Sequence, residues 1–225
     1  VFQIEDIALT FKLGNGIVKS DREWLKKKKE LLEKDWNKNS SKVLRKIEDS
    51  CGCVFPEIAR QEGIKVMLNR RLADNQLDGI LSEENPLEIN LFIARTDSIN
   101  TLKMLLVRML VYSFIHQQYE FHFRMREQTL FEDILADQLL AAKVSFIVTG
   151  KKLGRANCIR AVQQAIEQTV YQLSKKKAQN TLSQLAYDFF QEYPAKSKQK
   201  IDILTSREEL IDKLLELLPR AANPE

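Results

Sequence analysis

The chain has 225 residues, 44% hydrophobic and 29% charged, a balance that supports a buried core and excludes an intrinsically disordered tail. Seven glycines and five prolines are about half the usual share, so turns are few and a mainly helical fold is expected over a sandwich or barrel. No run of about 18 uncharged apolar residues occurs and the opening lacks the basic, apolar, small-residue order of a secretory leader, so a cytoplasmic protein without a membrane partner is expected. Three cysteines, Cys51, Cys53 and Cys158, are an odd number and argue against a disulfide framework.

Along the chain, Ile7, Leu9, Phe11 and Leu13 alternate and then reach Gly14-Asn15-Gly16, the pattern of a short strand and a turn. Ser20 and Glu23 have capping-box spacing, which predicts a helix starting there and carrying Trp24, Leu25, Leu31, Leu32 and Trp36, with lysines 26–29 on its exposed side. A second, separate helix is predicted from about Ser41 to Ser50, followed by breaks at Pro56 and Gly63. Residues 64–69 and 87–93 read as strands, and Asp78-Gly79 as a turn between them. Asp97 or Ser98 can cap the longest apolar helix. Its Leu102, Leu105, Leu106, Met109, Leu110, Ser113 and Phe114 repeat near the 3.6 period, so it belongs in the middle of the domain.

Further helices are predicted over about 130–148, ending at Gly150, over 155–176 and over 182–192. A second capping box, Ser206 with Glu209, opens a last amphipathic helix over 206–219. The lysine-spaced stretch 194–205 reads as a linker, leaving a main domain over 1–193 with its core over about 40–148 and basic helices over 151–192. The expected fold class is α+β, predominantly helical, with a small sheet beside a central apolar helix and a C-terminal helical extension.

The charge is unevenly placed. Residues 74–137 carry 5 basic and 11 acidic groups, whereas residues 138–200 carry 11 basic and 3 acidic. Lys143, Lys151, Lys152, Arg155, Arg160, Lys175, Lys176 and Lys177 could meet phosphates or an acidic partner, but with only Phe146 and Tyr171 among them base stacking has little support. Residues 150–155 lack the order of a phosphate loop, and Cys51-Gly52-Cys53 is a lone C-x-C pair, read as structural.

Only two histidines are present, His116 and His122. The order of a strand over 87–93, a capped apolar helix ending Tyr112-Ser113-Phe114-Ile115-His116, and a next helix opening Phe131-Glu132-Asp133-Ile134-Leu135-Ala136-Asp137 resembles the zincin metallopeptidases whose third ligand is a glutamate on the following helix. The resemblance covers roughly residues 40–145. It implies that His116 stands at the second histidine of H-E-x-x-H and Glu132 at the downstream ligand, while Tyr112 replaces the first histidine and Ser113 the general base.

Serine cannot take a water proton near neutral pH, and a phenol must lose a proton from a pKa near 10 to ligate zinc, so a site of Tyr112, His116 and Glu132 would be weak. A metzincin-like alternative would use the six-residue interval from His116 to His122, with Tyr119 in place of the turn glycine. Without metal, His116 would be a half-buried histidine bonded to Glu132 or a carbonyl, and Asp133 a first-turn acid complementing the helix dipole, with Glu132 and Asp137 left open as carboxylates.

The resulting expectation is a noncatalytic pseudo-metallopeptidase domain that serves as a binding or scaffold module, with no cofactor and a protein partner. Two alternatives stand beside it. One is an active metal-dependent peptidase or hydrolase with an atypical zinc site. The other is a nucleic-acid-associated protein using Lys151, Lys152, Arg155, Arg160 and Lys175 to Lys177.

Overall fold

The computed structural model describes residues 7–72, 78–82, 85, 87–122, 131–150, 155–168, 184, 187–188 and 203–222; for 119–122, 131, 155–158, 166–168, 203–206 and 217–222 it describes the backbone alone. Strand β1 (Leu9–Leu13) forms from the alternating apolar run and buries Phe11. It pairs in parallel with β2 (Ile64–Arg70), Phe11 opposite Val66 and Leu13 opposite Leu68. Strand β2 pairs in parallel with β4 (Glu88–Ile93), and the short β3 (Gly79–Leu81) lies antiparallel on the far side of β4, giving the order β1-β2-β4-β3. Parallel neighbours need a crossover. Helices α1 (Lys19–Cys51) and α2 (Glu57–Glu62) supply it between β1 and β2.

The two predicted helices over 20–36 and 41–50 are one continuous helix of 33 residues. Asn37, Lys38, Asn39, Ser41 and Lys42 form a polar interruption in the sequence, but all five face solvent, while Leu32, Trp36, Leu44 and Ile47 continue one buried stripe across it. Asn39 Nδ2 turns back along the helix and donates to the Asp35 carbonyl at 3.0 Å. Ser20 and Glu23 do not act as a capping box: Val18 is the N-cap, without a side-chain cap bond, and Ser20 already lies in the first turn. Leu31, expected among the apolar residues of this helix, is 53% exposed. The helix ends where Gly52 takes a left-handed conformation and donates its N–H to the Glu48 carbonyl at 2.9 Å.

Helix α3 (Ile99–His122) follows β4 directly, and Ser98 is its cap: Ser98 Oγ accepts the Thr101 N–H at 3.1 Å, while Asp97 instead accepts the Ala94 N–H. All seven of its predicted stripe residues are buried, and Phe114 meets Phe55 edge-on at 4.6 Å between ring centroids. Helix α4 (Phe131–Thr149) packs along it, with every residue from Leu135 to Ala142 buried, and stops at left-handed Gly150. Helices α5 (Arg155–Gln168) and α6 (Ile203–Ala222) both lie against α4. The rest of the stretch predicted as helix to 176 lies outside the described residues, and of the predicted helix over 182–192 only Gln184, Tyr187 and Asp188 are described, each helical.

The last helix begins at Ile203, inside the predicted linker, so Ser206 and Glu209 are not a capping box. Burial of Leu210, Ile211 and Leu214 in the same core as α4 holds this helix in place across the box, and it runs through Pro219. Among the described residues no helix is long and apolar enough to cross a membrane.

Gly63 joins α2 to β2 with φ 75° and ψ 179°, a conformation open essentially to glycine alone, and a Cβ there would lie 2.6 Å from the Ala8 carbonyl oxygen. That oxygen accepts the Ile64 N–H at 2.8 Å, the first bond of the β1–β2 ladder. Gly63→Ala is expected to cost about 2 kcal/mol in urea unfolding; an unchanged midpoint would show that the junction relaxes freely.

Candidate functional site: the junction of the central helix with its two neighbours

The C-terminal half of α3 presents Tyr112 and His116 on one face, four residues apart, with rings stacked at a centroid distance of 6.4 Å. Helix α4 brings Asp133 and Asp137, also four apart, and both are buried. Between these acids lies Arg207 of α6, itself 8% exposed, whose Nε donates to Asp137 Oδ1 at 2.6 Å and whose Nη2 donates to Asp133 Oδ1 at 3.1 Å. Gln138 extends the network, accepting Arg108 Nη2 at 2.8 Å on Oε1 and sharing a hydrogen bond with the Tyr112 hydroxyl. Ser113 is fully buried and accepts Gln117 Nε2 at 2.8 Å.

The electrostatics follow from burial. The Tyr112 phenol is pushed well above its ordinary value by burial and by the Asp137 charge, against smaller opposing effects of Gln138, Arg108 and Arg207. Asp137 is likewise raised, because burial outweighs the help its carboxylate gets from Arg207 and His116. Burial also raises the Cys51 thiol, which suits a structural rather than a reactive cysteine.

These residues do not fit a catalytic zinc. The donor set would need a Tyr112 phenolate where burial holds the phenol protonated, and Ser113, at the general-base position, is bonded to Gln117. Among the described residues no three His, Cys, Asp or Glu side chains converge in a way that could hold a metal ion.

Tyr112 and His116 share a face of α3 with Ser113 next to Tyr112 in the chain, and Asp137 is the acid whose charge acts on Tyr112 and is favoured by His116. Glu132 is half-buried in the first turn of α4 and is not one of the acids that hold Arg207. Asp133 does more than complement a helix dipole, since it is half of the Arg207 clasp. Sequence reasoning missed Gln138 and Arg207 and read Asp133 only as a dipole partner; the available signals were an acid pair at i, i+4 in an otherwise apolar helix and an arginine on the apolar side of the last one.

A second, half-buried ionic cluster holds the edge of the sheet. Asp78 Oδ1 accepts Arg71 Nη2 at 2.7 Å and Arg160 Nη2 at 2.8 Å, Asp78 Oδ2 accepts Arg160 Nε at 2.9 Å, and Arg108 Nη1 stands 3.8 Å away. Burial works against the Asp78 charge, but the Arg160 bond and the three guanidinium charges outweigh it and hold the carboxyl below its usual value. Burial lowers the Arg108 guanidinium to about 10. Arg160, predicted for a phosphate-binding face, is thus an internal clamp from α5 to the start of β3. Lys151, Lys152, Lys175, Lys176 and Lys177 lie outside the described residues, as do the side chains of Arg155, Cys158 and His122; Lys143 is half-buried on α4.

No known protein family, curated protein or solved structure matches the chain.

Proposed function

We propose that the chain is a noncatalytic, zincin-like domain, a metallopeptidase-like scaffold that works by binding a protein partner rather than by hydrolysis. The order of elements supports this reading: an upstream helix, the strands at Ile64 and Glu88, the capped apolar helix carrying Tyr112 and His116, and the helix carrying Glu132 follow one another as the resemblance implies. The observation that carries it is the buried Arg207 guanidinium between Asp133 and Asp137, a fixed cation supplied by the chain beside the position where a peptidase of this type would hold its metal. A guanidinium offers neither an open coordination position nor an activated water, so the junction keeps a fixed cation without a hydrolytic nucleophile.

The test is metal analysis after exposure of the purified protein to excess zinc and removal of the free ion, together with digestion of denatured casein with and without a chelator. Substoichiometric zinc and no chelator-sensitive cleavage are expected. One zinc retained per chain, or cleavage that the chelator abolishes, would overturn the proposal.

A further inference from the structure

Away from that junction, the N-terminal half of α3 meets α1 and the end of α4 around a cavity of about 440 Å³, inside the range of roughly 300–1,000 Å³ typical of small-molecule sites. Its floor is apolar: Leu32 and Trp36 come from α1, Leu106 and Val107 from α3, and Val148 from α4, and all five are buried. The mouth is basic. One acid, Asp35, and three lysines, Lys42, Lys46 and Lys103, line it. Lys103 Nζ stands 2.6 Å from Asp35 Oδ1, so that acid is already neutralised within the wall.

Lys42 and Lys46 remain. They are one helical turn apart on the exposed edge of α1; Lys46 donates to the Val148 carbonyl at 3.2 Å, and Lys42 has no carboxylate partner among the described residues. A cavity with an aliphatic and indole floor and two surplus ammonium groups at its mouth is complementary to a molecule with an apolar tail and a single anionic head.

We infer that this cavity is a binding site for a medium-chain aliphatic carboxylate, taken as the free monomeric acid, with its tail on Trp36 and its carboxylate between Lys42 and Lys46. The wall is built from three packed helices and braced by the Lys103–Asp35 ion pair, so the site is largely preformed. The inference does not lean on the zincin reading, because none of the residues of that junction lines the cavity.

Decanoate is the probe, titrated below its micellar range into the full chain carrying Trp24→Phe, which leaves Trp36 as the sole indole reporter. Saturable binding of one decanoate per chain with a change in Trp36 emission is expected. Because Lys42 and Lys46 are exposed, the Lys42→Glu/Lys46→Glu variant should fold normally and bind about tenfold more weakly, the scale expected for reversing two surface charges. Decanol, which keeps the tail and lacks the charge, should bind about tenfold more weakly than decanoate. Absence of saturable binding, unchanged affinity in the folded double variant, or decanol binding as tightly as decanoate would each overturn the assignment.

Discussion

Arg207→Met is expected to lower stability by about 3–5 kcal/mol at pH 7, the cost of leaving a buried charge without its partner. Methionine approximates the arginine stem, so the loss reports the charge more than the volume. Asp133 and Asp137, 5% and 3% exposed, would then repel each other without the Arg207 cation between them, and the Asp137 charge already acts on the Tyr112 phenol. The sign of the pH dependence follows from Asp137. Its folded value is raised, so it favours folding below the ordinary carboxylate value, and that contribution is lost as pH rises through the raised folded value.

Removing Arg207 takes away a charge that lowers this value and raises it further. The deficit of the variant is therefore largest at neutral pH and shrinks toward pH 5. Urea unfolding at the two pH values measures it, and Arg207→Met/Asp133→Asn/Asp137→Asn should recover much of the loss. A loss below about 1 kcal/mol, or one that does not vary with pH, would show that water reaches the acids and replaces the guanidinium.

Asp78→Asn should cost about 2–4 kcal/mol at pH 7, less than a fully buried ion pair would, because Arg71 and Arg160 keep 24% and 29% exposure. Asparagine preserves the shape but leaves three guanidinium groups around a neutral amide. The pH dependence has the opposite sign to that of Asp137. Since the folded value of Asp78 is depressed, its stabilisation is present above the ordinary carboxylate value and is lost as pH falls through the folded one. Denaturation curves of the two proteins should converge in acid, and a gap as wide at pH 3 as at pH 7 would assign the loss to shape rather than charge.

Regular periodicity made the core elements legible. The alternation of Leu9, Phe11 and Leu13, the apolar stripe from Leu102 to Phe114, and the glycine stop at Gly150 each act through neighbours a few residues away, and the strands and helices they imply are present. Features decided by distant packing were not legible. The polar stretch 37–42 reads as a break, yet the buried stripe on either side of it keeps α1 whole. Ser20 and Ser206 carry capping-box spacing, but the ends of their helices lie upstream of both, at Lys19 and Ile203.

At the candidate site, the residues four apart on one helix were within reach of the sequence, as with Tyr112 and His116. The pairing of Arg207 was not, because its partners lie 70 and 74 positions away and its place on the apolar side of the last helix marks burial without naming a partner. The bond of Arg160 to Asp78 was out of reach for the same reason, since the two are 82 positions apart.

The way the helices lean on one another sets an order of unfolding. Helix α1 touches β1, β2, α3 and α4, so its middle turns can open only if the sheet and the central helix lose their backing together. The last helix rests chiefly on α4, and its departure would leave the sheet and α1 undisturbed while baring the acids of Asp133 and Asp137. Two tiers of cooperativity are thus written into one core, and the outer tier ends at the arginine that closes the inner one.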